Sequence, residues 1–283
     1  MEVISAPELF EQRSERFSVL PLPLWSLAIS NVGNDRSLTS LGVGFDRSPA
    51  LATKKSYSEA IERWLYDRWV STGRSPFMGQ MSPAPPATSG FSVHPEKEQS
   101  RQLAFLEWFE RAHLEVWADG LVSVTSAPEP RLGFLFKVCA SHYFTELRFF
   151  VSGTGPFVGF VLGELKEGGV IFGSAASLSA ERAVYKATLE AVRKLAFVSH
   201  WREEKDSDQP FQKAVKFWLS DAGRNRALAF VKTALNAPKI PSGRIDFCDD
   251  FLQTCRVGDL WASCYYDLNH RLPVTEDLKV PLL

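Results

Sequence analysis

The pattern Glu-x-x-Glu-Arg occurs twice in the chain, and it is the arrangement of side chains best suited to chemistry. The first copy is Glu59, Glu62 and Arg63, and the second, 48 residues further on, is Glu107, Glu110 and Arg111. Positions i, i+3 and i+4 of a helix share one face, so each copy presents two carboxylates and a guanidinium side by side. Carboxylates bind hard cations such as magnesium and a guanidinium binds phosphate, so the pattern suits a metal-nucleotide site.

Further similarities indicate that the two copies are internal repeats. Trp69 and Trp117 each lie ten residues after the first Glu of their copy. A third, degenerate copy begins at Glu190 and carries Arg193 in place of the second acid. Gly-bearing segments precede the three copies, at 42–44, 90–94 and 173–177. One Glu-x-x-Glu-Arg alone is usually a solvated helix face with local ion pairs, but its repetition favours a shared site.

Apolar residues lie between the acids, among them Ile61 and Phe109, and they indicate that both helices are partly buried. Two such helices facing each other would bring four carboxylates together. That arrangement is unfavourable unless protons or hard cations neutralise the charge. We therefore expect magnesium beside a triphosphate, with Arg63 or Arg111 in contact with phosphate.

The elements that must position these residues alternate between strands and helices. Apolar periodicity predicts helices over 50–70, 95–119, 179–195, 211–219 and 225–235, with Ser177 or Ser179 capping the third and Gly223 separating the last two. Strands are predicted over 19–30 and 131–140, a Gly-rich turn at 42–44, a hairpin over 146–162 around a turn at 152–155, and two or three short strands in a tail at 245–283. A loop or mobile flap is predicted at 72–90 and a charged loop at 200–208. The expected fold is α/β, of the mixed α+β kind, in a single domain over 1–283.

The composition is that of an ordinary folded protein, with 283 residues, 45% hydrophobic and 23% charged. A net charge of −1 without a basic block gives no indication of binding to nucleic acid or to an acidic membrane. Neither a signal layout nor a bilayer-length apolar stretch is present, so we expect a cytoplasmic protein. The four cysteines show no zinc spacing and are expected to be reduced thiols: Cys139, Cys248, Cys255 and Cys264.

Other common motifs are absent from the sequence. It contains no P-loop and no Gly-x-Ser-x-Gly elbow, and Gly42 and Gly44 lack the third glycine of a dinucleotide fingerprint. The histidines have no ligand spacing, so structural roles are expected for them.

At these repeats the chain resembles the YcaO family, whose members combine a Gly-bearing strand end with a Glu-x-x-Glu-Arg helix, a second such helix, and a third segment like 183–190 here. The resemblance implies that the magnesium-binding acids are Glu59, Glu62, Glu107 and Glu110. It implies that Arg111 contacts the nucleotide, and that Lys186 stands where the family has an arginine for the phosphates. The remaining positions that the resemblance places near the nucleotide are Lys55, His94 and Gln99, and Arg63 stays a candidate from its place in the first copy.

The resemblance also implies an activity, namely ATP- and Mg2+-dependent activation of a peptide backbone amide in ribosomal-peptide modification. Cyclodehydration of Cys, Ser or Thr to azolines is the expected reaction, with thioamide or amidine formation as alternatives. A degenerate, non-catalytic YcaO-like scaffold that binds peptide is a further alternative. A peptide substrate and a separate leader-peptide-recognition protein are the expected partners, a homodimer stays open, and no residue is identified as the catalytic base.

Overall fold

The computed structural model describes residues 3–17, 25–35, 38–82, 84, 90–118, 124–131, 140–203, 210–236 and 251–265. The chain divides into two compact units, which we call unit 1 (Met1–Trp108 and Phe247–Arg271) and unit 2 (Phe109–Asp246 and Leu272–Leu283). The prediction that residues 1–283 form a single domain is not tested by this division into units. No helix within the described ranges is long and apolar enough to cross a membrane.

The first sheet of unit 1 is an antiparallel meander of β2 (Glu8–Phe17), β3 (Trp25–Asp35) and β4 (Leu38–Asp46), and α1 (Pro49–Thr72) packs on it. The Oγ of Ser48 caps α1 by accepting a hydrogen bond from the N–H of Leu51, and Gly73 ends the helix at φ 66°. The helix predicted over 50–70 is confirmed.

The Gly-rich turn predicted at 42–44 is wrong, because these residues lie inside β4. The glycines are needed for close packing: a Cβ on Gly42 would lie 2.0 Å from the carbonyl oxygen of Ser56 in α1. A Cβ on Gly44 would lie 1.8 Å from the carbonyl oxygen of Ala52. The strand predicted over 19–30 begins at Trp25 in the structure, and 18–24 are outside the described residues.

The second sheet of unit 1 has the strand order β1 (Val3–Ile4), β10 (Leu252–Val257), β11 (Leu260–Tyr265) and β5 (Phe91–His94). Its strands β10 and β11 confirm two short strands in the tail. α2 (Lys97–Ala118) follows β5 and begins two residues after Pro95, and the division between the units falls within this helix. The core of unit 1 contains the large buried side chains of Trp64, Trp69 and Phe91.

Unit 2 contains an antiparallel sheet of β6 (Thr125–Ser126), β7 (Phe144–Ser152), β8 (Phe157–Leu165) and β9 (Val170–Ser177). The hairpin of β7 and β8 around 153–156 confirms the predicted hairpin. Three helices follow: α3 (Ala180–Glu203), α4 (Pro210–Trp218) and α5 (Asp221–Asn236). The predicted strand over 131–140 lies mostly outside the described residues.

Two predicted boundaries in unit 2 are wrong. α3 continues to Glu203, so the first part of the loop predicted at 200–208 is helical, and 204–209 are outside the described residues. Gly223 does not separate the helices but lies buried in the first turn of α5. Glycine is needed there, because a Cβ would lie 2.1 Å from the carbonyl oxygen of Phe217. Ser179, one of the two predicted caps of α3, accepts a hydrogen bond from the N–H of Arg182.

The described part of the segment predicted as a flap, 73–82 and 84, forms a tight turn in unit 1. Arg74 and Met81 form an antiparallel bridge, and the indole Nε1 of Trp69 donates to the carbonyl oxygen of Ser82 at 2.8 Å. Phe77 packs against the core of unit 1. The mobility of this segment stays a prediction.

Candidate functional site

The strands that precede the three helices of the repeat occupy equivalent places in their sheets. Among the strands that the structure describes, β4, β5 and β9 are each the last of a sheet, so one edge of each has no described strand beside it. Backbone groups at such an edge require other hydrogen-bond partners. Charged side chains of the repeated pattern supply these partners at all three edges.

At the edge of β4 the side chains come from the first copy on α1. The N–H of Val43 donates to Glu59 Oε2 at 3.2 Å, and Arg63 donates to the carbonyl oxygen of Leu41 at 2.8 Å. Arg63 also forms an ion pair of 2.7 Å with Glu59, four residues before it on the same helix. The two side chains therefore hold each other and the strand edge together.

At the edge of β5 the acceptor is Glu62, whose Oε1 lies 2.8 Å from the backbone nitrogen of Val93. Part of Glu62 remains accessible to solvent, but protein atoms surround its carboxyl group. This burial raises the pKa of Glu62 well above its ordinary value, and the negative charge of Glu107 raises it further. A buried carboxyl that a second acid destabilises in its charged form favours the uptake of a proton or a cation.

At the edge of β9 the acceptor is Glu110, the second acid of the second copy. Ser174 Oγ donates to Glu110 Oε1 at 2.6 Å, and the N–H of Ala176 donates to Oε2 at 3.2 Å. Val93 and Ala176 each follow the first glycine of their Gly-bearing segment, Gly90 or Gly173, by three residues. The second acid of each copy thus binds the equivalent amide of the strand in the next copy.

Arg111, next to Glu110 on α2, differs from the other basic groups of the pattern. Its Nε is buried and has no hydrogen-bond partner among the described residues. A buried donor without a partner is costly, so this atom is suited to an acceptor that a ligand brings.

The third copy contributes a residue that sequence reasoning missed, Lys194. Its Nζ donates to the carbonyl oxygen of Phe172 on β9 at 2.9 Å, and burial lowers its pKa to about 8. Lys194 follows Glu190 by four residues, which is the position of the arginine in the other copies, so the repeat itself contained the signal. Glu190 forms an ion pair with Arg193, the residue in place of the second acid.

The other predicted nucleotide-binding residues have local partners in the structure. Lys55 pairs with Asp46 at 2.7 Å, His94 Nδ1 accepts from the N–H of Glu96 at 3.0 Å, and Gln99 donates to the carboxylate of Glu96 at 2.9 Å. His94 therefore assists the entry into α2. Lys186 lies half-buried on α3.

The structure thus assigns Glu59, Glu62 and Glu107 to unit 1 and Glu110, Arg111 and Lys186 to unit 2. In the part of the chain that the structure describes, no three His, Cys, Asp or Glu side chains are grouped closely enough to hold a metal by themselves. A single four-carboxylate site stays a prediction. The buried thiols of Cys255 and Cys264 are not in a disulfide, as expected, and Cys139 and Cys248 are outside the described residues.

Comparison with known proteins identifies the architecture. No protein-family model matches the chain, and no curated protein matches it in sequence. Among solved structures, it resembles a YcaO from Methanopyrus kandleri bound with AMPPCP and Mg2+, at 13% identity, a TM-score of 0.56, and coverage of 95% of this chain and 90% of the other. The chain has the YcaO fold.

Two further solved structures resemble the chain over most of its length. The microcin synthetase complex McbBCD of E. coli with pro-MccB17 bound matches at 11% identity and a TM-score of 0.57, over 89% of this chain and 90% of the other. A heterocyclase in complex with substrate and cofactor matches at 12% identity and a TM-score of 0.55, over 90% of this chain and 49% of the other. Mixed α+β architecture, expected from the alternation of elements, is therefore confirmed.

Proposed function

We propose that the chain is an ATP- and Mg2+-dependent enzyme that activates a peptide backbone amide. The observation that carries the proposal is the pairing of Glu62 with Glu107 in a chain with the YcaO fold. The raised pKa of Glu62 indicates a charge that the surrounding protein leaves uncompensated. A divalent cation would supply that compensation.

The acids suit magnesium in particular. Magnesium usually binds proteins through one or two carboxylates and takes its remaining ligands from phosphates and water. Glu62 and Glu107, whose charges act on each other, would satisfy this requirement without a third protein ligand. We propose that Glu59 and Glu110 complete the acidic set, Glu59 by releasing Arg63 when the nucleotide binds.

The basic residues of the site would bind the triphosphate. Arg111 has the buried Nε that lacks an acceptor, and Lys186 is a second candidate for phosphate contact. Arg63 and Lys55 would have to exchange their present carboxylate partners for phosphate. His94 and Gln99 are proposed to lie at the edge of the nucleotide site, where they support the start of α2.

The reaction we propose is cyclodehydration of Cys, Ser or Thr to an azoline. The side-chain thiol or hydroxyl gives up its proton as its heteroatom adds to the carbon of the preceding amide, and the amide oxygen attacks the γ-phosphorus of ATP with loss of ADP. The phosphorylated oxygen then leaves as inorganic phosphate while the nitrogen loses its proton, so that the peptide loses one oxygen and two hydrogens and the ring is formed. The protein contributes by positioning the reactants and by stabilising the developing charge, and thioamide or amidine formation would use the same activation.

Peptide and protein partners follow from the same reasoning. One similar structure is a complex with pro-MccB17 bound and another holds a substrate, so we propose a peptide substrate for this chain. We also propose that a separate protein recognises the leader peptide, and that the reaction takes place in the cytoplasm.

A non-catalytic scaffold is the second candidate, because Lys186 stands in place of the family's arginine and lacks its bidentate geometry. Isothermal titration with ATP, in the presence of Mg2+ and then of a chelator, separates the two. An enzyme should bind Mg·ATP and lose most of the heat signal without metal. Failure of the intact protein to bind Mg·ATP would instead support the scaffold.

The chemistry is tested by isotope transfer. A candidate peptide encoded beside the gene is synthesised with oxygen-18 in the amide that precedes its Cys, Ser or Thr. Activation of that amide predicts oxygen-18 in the released phosphate and a peptide lighter by one water. Phosphate without the label would contradict the proposed activation, even if ATP is consumed.

A further inference from the structure

The first and third copies of the repeat align at a constant offset of 131 residues, so that Glu59 corresponds to Glu190. A Cβ on Gly42 would meet the carbonyl oxygen of Ser56 and the nitrogen of Ala60, and one on Gly173 would meet the same atoms of Ala187 and Ala191. Gly42, Ser56 and Ala60 of the first copy therefore correspond to Gly173, Ala187 and Ala191 of the third, each 131 residues later. The helix α3 therefore lies on β9 as α1 lies on β4.

Lys194 is the structural equivalent of Arg63 under this offset. Arg63 donates to the carbonyl oxygen of Leu41, and Lys194 donates to that of Phe172, which is the equivalent strand residue. The lysine thus repeats the strand-edge bond of the first copy with a different cation.

The charge of the third copy is inverted relative to the others. The first copy has two acids and one base, whereas the third has Glu190 with two bases, Arg193 and Lys194. Arg193 is paired with Glu190, and the third copy as a whole carries one base more than it has acids.

Lys194 and Glu110 hold the same strand edge from two helices. Lys194 donates a hydrogen bond to Phe172, and Glu110 accepts hydrogen bonds from Ser174 and Ala176. Three alternate residues of β9 therefore have a hydrogen-bond partner from one of these two side chains. Glu190 attracts the ammonium of Lys194 more strongly than Glu110 does, and Arg193 and Arg111 repel it. Lys194 and Glu110 are therefore linked through the strand edge that both bind, rather than by their charges alone.

We propose that Lys194 is a positioning residue that holds the edge of β9 to which Glu110 is bound, so that this carboxylate is presented in one orientation to bound Mg·ATP. The role in nucleotide binding rests on the proposed function. The link between Lys194 and Glu110 does not, because it stands on their bonds to β9. Lys194 itself does not contact the ligand.

Titration of the intact protein with Mg·ATP tests the role in binding. Lys194→Met should weaken the affinity about tenfold, while Lys194→Arg, which restores the cation found in the first copy, should keep it within about threefold. Lys232→Met on the exposed face of α5 is the matched control and should bind as the intact protein does. Equal affinities for Lys194→Met and the control would overturn the positioning role.

A double-mutant cycle without nucleotide tests the link itself. The melting temperatures of Lys194→Met, Glu110→Gln and the double variant are measured, and the double variant should lose less than the sum of the single losses. Strictly additive losses would overturn the assignment of Lys194. If Lys194→Met does not fold, the cycle is repeated with Lys194→Gln. Failure of the intact protein to bind Mg·ATP would contradict the proposed function, and this cycle would still decide the role of Lys194.

Discussion

The environment of Glu62 bears most directly on function. Its carboxyl is held by the N–H of Val93, yet its ionised form is destabilised by burial and by nearby acids. The hydrogen bond from Val93 favours the ionised form, but burial and the charges of Glu107 and Glu59 oppose it. Burial has the largest effect of these, so the pKa is raised. A cation that binds beside such a carboxyl stabilises its ionised form.

The raised pKa of Glu62 predicts an unusual dependence of stability on pH in metal-free protein. The folded state holds the proton more tightly than the unfolded state does. The contribution of protonated Glu62 to the free energy of unfolding is therefore fully present below the ordinary carboxyl pKa of 4.5, and it is lost as the pH rises through the folded-state pKa. Glu62→Gln keeps an acceptor for Val93 and should remove this loss, giving a variant more stable than the intact protein at pH 8, by the order of 1 kcal/mol.

Denaturant unfolding in a chelator, from about pH 4.5 to about pH 9, measures the effect. Glu181→Gln, an exposed acid on α3, serves as the control and should follow the intact protein. Parallel curves for Glu62→Gln and the intact protein would show that this carboxyl is not strained.

His113 predicts a change in the opposite pH direction, in unit 2. Its Nε2 lies 2.8 Å from Ser152 Oγ, both side chains are buried, and burial lowers the pKa of His113 to about 4. The unfolded state takes up a proton first, so stability should fall by about 3 kcal/mol between pH 6.5 and pH 4. His113→Gln should flatten that part of the unfolding profile, and an unchanged slope would mean that other groups cause it.

At the scale of elements, the repeated unit is an edge strand with a helix pressed against it. Glycine at the crossing point allows the approach, and charged side chains of the helix complete the strand edge. Gly42 and Gly173 play this part in the first and third copies.

Gly173→Ala should therefore disrupt the contact of α3 with β9. The new Cβ would lie 2.0 Å from the carbonyl oxygen of Ala187, which is backbone and cannot rotate away. We expect a loss of about 2–3 kcal/mol in the free energy of unfolding. Leu178→Ala, at an exposed residue nearby, should change stability little, and a Gly173→Ala variant as stable as this control would contradict the packing described here.

Sequence reasoning located the helices well because their apolar periodicity is a local property. It misassigned 42–44 and Gly223 because glycine signals both turns and close packing, and only the tertiary partner distinguishes the two. The spacing singled out the acids of the proposed site, which stay a prediction, but it did not reveal Lys194 because the third copy had lost the second acid. The partners of Arg63, Lys55 and Gln99 could not be predicted, since long polar side chains choose among several neighbours of similar energy.

At the scale of the whole molecule, the two units differ in the charge they bring to the pattern. Unit 1 contributes the acids Glu59, Glu62 and Glu107 with one base, Arg63. Unit 2 contributes more bases than acids: Glu110 and Glu190 against Arg111, Arg193 and Lys194. A site that draws on both sets, as the proposed Mg·ATP site does, stays a proposal.

Ligand binding should therefore stabilise the whole chain. Mg·ATP at a hundred times its dissociation constant should raise the free energy of unfolding by about 2.7 kcal/mol. Thermal unfolding at increasing ligand measures this, with Mg2+ alone and ATP with chelator as controls. A melting temperature that stays constant with Mg·ATP would argue against a nucleotide site in the folded protein.

We infer that the carboxylates of Glu62 and Glu107 bind the magnesium that accompanies ATP. The affinity for ATP is measured as a function of Mg2+ concentration in the intact protein, Glu62→Gln, Glu107→Gln and the control Glu181→Gln. Mg2+ should strengthen ATP binding in the intact protein and the control, and each of the two site variants should lose about tenfold or more of that gain. The same Mg2+ dependence in all four proteins would contradict it.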